Sequence, residues 1–468
     1  MNDEQLTLKQ SRWRQGELVE IAIADLNDAG EGVGRWENRV VFVPDTVTGD
    51  RAWVRLIRVK PDCAWGKLER LLQPSSYRDR PSCIVADKCG GCQWQHISYE
   101  YQLEAKRQQI IQALERIGGF SQPPVAPVLA AERPLHYRNK ATYPLVRSAT
   151  GQVQAGYYQK GSHQLINLNQ CPVQDSRLNP LLAEVKRDIQ RLGWPVYDEK
   201  LHRGRVRHLA LRIGRRTGEM LLTLVVTDGN LPEIAIQAQQ WLDRYPQLVG
   251  VALNYNPNRT NAIFGAETRC VVGQSYLREE FANLQFQLSS ETFFQVYTEQ
   301  AEALLEIIID RLSLQGNEVL LDAYCGIGTF TLPLALRVRE AIGLEVQAAS
   351  VERAQANARL NGINNVRFEV GAVEKLLPQL DVNPDIVLLD PPRQGCDRAV
   401  LDSLLQIQPQ RLAYISCKPA TLARDLKILC GAGDYQLNYV QPADFFPQTA
   451  HVECAAFLSS KRKDVTSV

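Results

Sequence analysis

From Glu17 to Leu72, apolar and polar positions alternate in short runs: ELVEIAIADL, RVVFVP, RAWVRLIRVK and AWGKLERLL, separated by NDAGEGVG and DTVTGD. A period of two, broken by glycine turns, predicts five or so short strands, and such a set closes most readily into a small barrel. The barrel would occupy residues 13–73, and the polar stretch SSYRDRP after it reads as a linker. Binding of an oligonucleotide is compatible with such a barrel but does not follow from the fold alone. From Pro74 to Ser290 short strand and helix patterns mix, which suggests an α+β region, 74–290, with no internal repeat.

The rhythm changes near Glu291. EVLLDA, EAIGLE, VRFEV, DIVLLD and LAYIS read as buried strands, with FTLPLALRV, VQAASVERAQANARLNG and PATLARDLKIL as helices between them. This alternation predicts an α/β fold over 291–468, a doubly wound, mostly parallel Rossmann-like sheet. Ligands of such a sheet collect at the carboxyl ends of its strands.

Composition narrows the picture. The chain has 468 residues and 45% hydrophobic content, enough for several cores. It carries eleven cysteines, yet MNDEQLTLKQ lacks the apolar stretch of a secretory signal and no later run suits a membrane span. A cytoplasmic protein with reduced thiols is therefore expected, with no membrane partner and no obligate protein partner. Clustered cysteines then point to ligands or catalysts.

A net charge of +1 does not by itself advertise nucleic acid. Locally, RPLHYRNKATYPLVR (133–147) and RGRVRHLALRIGRR (203–216) are basic and contain no acid. Either alone reads most simply as a solvated surface. Together, with aromatics among them, they suggest a phosphate track with stacking platforms.

The strand ends carry candidate chemistry. In LLDAYCGIGTF, Gly326 and Gly328 permit a tight turn, but the spacing is not the G-x-G-x-x-G of a dinucleotide site. The next strand ends at Glu345, 19 residues after Gly326, where an acid could accept ribose hydroxyls; the plainer alternative is an acid at a helix N-terminus. This suits a nucleoside cofactor without a pyrophosphate, such as S-adenosylmethionine. DIVLLDPPRQG ends another strand with Asp390 and two stiffening prolines, able to face a planar base, although an ordinary turn uses the same residues. LAYISCKP runs into Cys417, which is either inert filler or a thiolate nucleophile.

ETFFQV, LLDAYCGIGTFTL, LLDPPRQG, AYISCKPATLARDL and FFPQTAHVE, in this order, closely resemble the SAM-dependent RNA (uracil-5-)methyltransferases, and the barrel resembles that family's TRAM domain. The resemblance implies that Gln295, Tyr324, Thr329, Glu345 and Asp390 contact SAM or the target base, that Cys417 is the nucleophile, and that Glu453 is the base. The chemistry agrees. Carbon 5 of uracil is a poor nucleophile, and adding a thiolate at carbon 6 makes it one. A carboxylate must then remove the carbon 5 proton to expel the cysteine. For Glu453 the competing reading is a solvent-facing strand residue, with Cys454 pointing the other way. Lys418 and Gln448 depart from the family's usual Asn and His, which bears on the RNA bound. The preferred RNA is 23S ribosomal RNA, with a tRNA T-loop uridine as the alternative. A cytosine-5 enzyme is disfavoured because Arg393, not cysteine, follows Pro392. A non-catalytic RNA-binding sensor has no use for Cys417 and Glu453.

CIVADKCGGCQWQH supplies Cys83, Cys89 and Cys92, a credible metal claw that needs a fourth ligand, best found in Cys171. Zinc is the plain alternative. The resemblance implies a [4Fe-4S] cluster on these four positions, and a structural role is expected of it because methyl transfer moves no electrons. Cys63, Cys270, Cys325, Cys396 and Cys430 read as core or loop residues.

Overall fold

The computed structural model describes residues 13–431 and 433–461. MNDEQLTLKQ lies outside the described residues, as does the end of the 291–468 segment. The chain forms two compact units. One comprises the N-terminal segment through Asp87, with Cys92–Ala105 and Gln448–Ala450; the other comprises Lys88–Gly91, Lys106–Pro447 and the chain from His451 onward.

In the first unit, strands Leu18–Leu26, Gly32–Trp36, Arg39–Val43, Arg51–Val59 and Cys63–Gln73 close into a barrel. Their alternation does the work anticipated of it. Val19, Ile21 and Ile23 point inward with Val41, Val43, Val54 and Leu56, while the residues between them face out.

The second unit holds two seven-stranded sheets. The central one runs, in spatial order, Glu267–Gly273, Leu248–Tyr255, Met220–Val226, Val206–Ile213, Lys140–Arg147, Val153–Tyr158 and Leu165–Asn167. Met220–Val226, an interior strand, is buried at every position, which explains its almost wholly apolar sequence MLLTLVV.

The C-terminal sheet positions the candidate chemistry. Its strands, numbered along the chain, are β1 (Val319–Ala323), β2 (Glu340–Glu345), β3 (Val366–Val370), β4 (Ile386–Leu389), β5 (Arg411–Ser416), β6 (Tyr435–Ala443) and β7 (Glu453–Ser460). They lie in the order β3-β2-β1-β4-β5-β7-β6; the first five are parallel and β7 runs antiparallel between β5 and β6. Successive side chains enter opposite cores. Leu320, Leu388, Ala413, Ile415 and Ala455 pack on one face, and Leu321, Leu389, Tyr414, Cys454 and Ala456 on the other. Both faces are covered, so the strands read as continuous apolar runs.

The order reverses between β1 and β4, which opens a crevice at their carboxyl ends. Two expectations change. The helix expected over FTLPLALRV shrinks to Thr331–Ala335, because β2 begins at Glu340 and leaves no room for another turn. The edge strand β6, with its mixed pattern YQLNYVQPA, was not anticipated at all.

Candidate active site

The nucleophile and the base candidates meet through strand register. β5 and β7 pair antiparallel with Ser416 opposite Cys454, so one further step sets Cys417 against Glu453. Their side chains fall on the face of Ile415 and Ala455, whereas Cys454 falls on the other, where its thiol reaches the Ser416 carbonyl at 3.6 Å. Glu453 is 4% exposed, which overturns the solvent-facing alternative. A carboxyl this deeply enclosed demands a reason other than solubility.

The charges around it supply one. Burial first, then the facing Asp390, hold the Glu453 carboxyl well above the carboxylate range, and Arg393 opposes them. Burial pushes Asp390 up to about 7. Cys417, half-buried, is pushed up to about 11 by burial and by Glu453, with Arg393 again opposing and Asp390 adding to the rise. Three acidic groups thus crowd around one guanidinium. Each favours its neutral form until positive charge arrives.

Arg393 did not emerge from the sequence as a site residue. Its position directly after two prolines, at the end of β4, was the available signal. Asp322 on β1 was also missed. It is 2% exposed, accepts a hydrogen bond from the Thr331 hydroxyl, and is raised to about 8 chiefly by burial. A single acid inside VLLDA was its mark.

The cofactor-side candidates line the same carboxyl edge. β1 ends at Ala323 and the chain turns through Tyr324, at φ 75°, into Gly326, at φ 55°. Space lies open on the side chain's side of Gly326: an added Cβ would meet nothing within 4 Å. The Gly326 N–H donates to Glu345 Oε2 at 3.2 Å, and the Gln347 N–H donates to Glu345 Oε1 at 2.8 Å. The carboxylate therefore stays at the end of β2, facing the glycine turn. Thr329 is buried just beyond, and Gln295 is buried in the segment before helix Thr298–Leu312, its carbonyl held by Asn139 Nδ2 at 2.8 Å. An acid, an open glycine turn and a neighbouring strand-end Asp390 fit a nucleoside-bearing cofactor.

The metal expectation fares differently. Cys89 and Cys171 are buried, and Cys83 and Cys92 are half-buried. Among the described residues, no group of three or more His, Cys, Asp and Glu is arranged to hold a metal ion. The side chains as they stand lend the four-thiol site no support beyond the chemistry of its donors.

The second basic run also needs correction. Arg207 is buried and donates to the carbonyls of Asn256 and Asn258 at 2.6 and 2.8 Å. Arg212 is buried, donating to the Ser289 carbonyl. Arg215 pairs with Asp175 and Glu299, and Arg216 with Glu302. Much of this run is internal framework rather than a phosphate track. In the first run, Lys140 donates to the Ser290 carbonyl at 2.9 Å and lies over the Phe264 ring. Gln448, where the family commonly has His, exchanges hydrogen bonds with Gln102 at 3.0 and 3.2 Å. Lys418 is exposed. Among the described residues, no helix is long and apolar enough to cross a membrane.

Comparison with known proteins bears on this arrangement. The profile of the tRNA (Uracil-5-)-methyltransferase family matches residues 98–461, and that of the TRAM domain matches residues 12–68. An uncharacterized RNA methyltransferase of Nostoc sp. is 69% identical over 96% of this chain and 98% of its own. One from Bacillus cereus is 38% identical, over 96% of this chain and 98% of its own. Among solved structures, the Pyrococcus abyssi tRNA (uracil-54, C5)-methyltransferase in complex with S-adenosyl-L-homocysteine superposes with a TM-score of 0.74 at 27% identity. It covers 94% of this chain and 99% of its own.

Proposed function

Because the chain belongs to the tRNA (uracil-5-)-methyltransferase family, we propose that it methylates carbon 5 of one uridine in RNA, with S-adenosylmethionine as methyl donor. The observation that carries the reading is the register setting Cys417 opposite the buried Glu453. A nucleophile and a base for the same ring need to flank it in this way.

When bound, S-adenosylmethionine supplies an electrophilic methyl group and a positive charge. Gln295, Tyr324, Thr329, Glu345 and Asp390 are assigned to hold it or the target base. Cys417 passes its proton to solvent and adds to carbon 6 as the thiolate, and the electron pair pushed toward carbon 5 is then available to bond the methyl group that the cofactor would supply. Once carbon 5 carries both methyl and hydrogen, Glu453 removes that hydrogen as a proton. The carbon–sulfur bond then breaks and the thiolate leaves. Arg393 favours the anionic form of both Cys417 and Glu453, each of which must be charged at one stage. The target has to leave its stack to reach this pocket.

The division of labour follows the chain: 13–73 and 74–290 for RNA binding, and 291–468 for methyl transfer. For the RNA itself, we assign 23S ribosomal RNA. A tRNA T-loop uridine is the second reading, favoured by the likeness to the Pyrococcus abyssi enzyme. Incubating the protein with labelled S-adenosylmethionine and transcripts of each kind, then mapping 5-methyluridine, tests both. Label in ribosomal transcripts supports the first reading, label in tRNA the second, and label in neither removes the function.

A [4Fe-4S] cluster on Cys83, Cys89, Cys92 and Cys171 belongs to the same proposal and rests on the thiol chemistry of these four side chains and the family pattern. Anaerobically purified protein should contain iron and acid-labile sulfide, both lost in Cys89→Ser. Colourless protein with stoichiometric zinc would overturn it.

A further inference from the structure

The loop that carries Asp390 and Arg393 is tied down from behind by groups to which the reaction gives no part. Asp425, on helix Pro419–Gly431, is fully buried. Its Oδ2 accepts from the Cys396 N–H at 2.9 Å and from the Tyr414 hydroxyl at 2.6 Å. Its Oδ1 accepts from Arg424 Nε at 2.8 Å. Arg424 Nη2 in turn donates to the Gln394 carbonyl at 2.9 Å. One carboxylate thus binds the loop once directly and once through its neighbour.

The loop is shaped to receive it. Gly395 has φ 79°, and a Cβ there would stand 2.6 Å from both Arg424 Nη2 and Asp425 Oδ2. A side chain there would displace the Arg424 and Asp425 groups that hold the loop, and the positive φ itself favours glycine. Asp397 then caps helix Arg398–Ile407 by accepting from the Ala399 N–H at 2.9 Å, fixing the far end. The near end is held too, since the Thr421 hydroxyl lies 3.3 Å from the Arg393 carbonyl.

The same cluster reaches two other strand ends. Tyr414 lies on β5, three residues before Cys417. The Cys396 thiol faces Tyr414 and Tyr324, the residue that follows β1. One buried network therefore ties the loop after β4 to β5 and to the helix that follows β5. A carboxylate buried with this many donors is a rigid element rather than a soft one.

We propose that Asp425 is a positioning residue that holds the Asp390–Arg393 loop against Cys417. The inference rests on the methyltransferase reading for the meaning of that loop, while the geometry stands without it. Cys417 is faced by Glu453, Asp390 and Cys454 as acids and by Arg393 as the cation, with Lys418 next in sequence. Of these, Arg393 favours the thiolate from the loop that Asp425 anchors. If the loop drifts, the thiolate loses that support.

The sign of the effect separates this from a direct charge effect. Asp425→Asn deletes a negative charge, which on its own would make the thiolate easier to form. Loss of Arg393's placement makes it harder. The experiment is alkylation of Cys417 by iodoacetamide across pH, followed by mass spectrometry of the peptide carrying it, in the full-length protein. The midpoint should move upward by roughly half to one pH unit in Asp425→Asn. The kcat for RNA methylation should fall about 10–100-fold, with KM for S-adenosylmethionine within about threefold of the parent.

Arg424→Lys, on a half-exposed side chain, keeps the charge while removing the guanidinium fork that joins Asp425 to Gln394, and should shift the midpoint in the same direction. A superimposable alkylation profile in a folded Asp425→Asn or in Arg424→Lys overturns the proposal, as does a downward shift. Alkylation requires neither RNA nor cofactor. A shifted midpoint in a protein that methylates no RNA would therefore keep the anchor and reject the function.

Discussion

The carboxyl edge of the C-terminal sheet and the arginine-rich part of the central sheet both bury charge, but with opposite partners. At the sheet edge, Asp390, Glu453 and Cys417 repel one another's anionic forms, and burial raises all three. In the central sheet, Arg215 sits between Asp175 and Glu299, while the Glu279 carboxylate accepts the backbone N–H groups of Arg215 and Arg216 at 2.7 and 3.1 Å. There, opposite charges and donors are matched. Like charges left facing each other store reactivity, and matched charges hold the fold. Partner identity, rather than burial or charge density, distinguishes the two regions.

The comparison breaks most sharply at Cys417. Cys417→Ala should abolish methylation while leaving S-adenosylmethionine affinity near that of the parent, since the thiol acts on the base. Full activity in the variant, measured as methyl transfer to RNA, would remove the edge from the reaction. Glu453→Gln keeps the shape and deletes the basicity. Its turnover should drop by roughly 10²–10⁴-fold, with methylated RNA accumulating as a covalent adduct because elimination stalls. Parental turnover without adduct would leave the base elsewhere.

On the other side, Arg215→Ala should act on stability. The Arg215 guanidinium is 10% exposed, and its removal takes one of two guanidinium partners from Asp175, which keeps Arg177, so the loss should be about 1–3 kcal/mol in urea unfolding. An unchanged unfolding midpoint would mean that the cluster is no framework. The smallest effect is expected at the rim of the same run. Arg205 lies 3.4 Å from Asp228 with both side chains substantially exposed, so Arg205→Ala should cost less than about 1 kcal/mol. A larger loss would erase the contrast between buried and rim arginines.

Local patterns were legible in the sequence. The barrel's period of two, the apolar strands of the sheet and the residues at their ends all follow from a few neighbouring positions. What escaped depends on distance. The acids that face 203–216 lie at Asp175, Asp228, Glu279, Glu299 and Glu302, none of them in the run, so a basic string read as part of a phosphate track folded largely into paired framework. Arg393 and Asp425 matter through what faces them from other elements, and Asp322 lay hidden in a run otherwise apolar. Strand β6 was missed for a different reason. It sits at the sheet edge, partly exposed and carrying Pro442, and an edge strand lacks the continuous apolar signature of its buried neighbours.

The central claim is that Cys417 bonds to carbon 6 of a uracil while Glu453 waits for the carbon 5 proton. RNA containing 5-fluorouracil tests it most directly, because fluorine at carbon 5 cannot leave as a proton and elimination has no route. With S-adenosylmethionine present, the parent protein should form a denaturation-resistant complex with this RNA, and peptide mass spectrometry should place the nucleotide on Cys417. A protein that methylates ordinary RNA yet forms no such complex, or one that carries the adduct on another residue, would contradict the account.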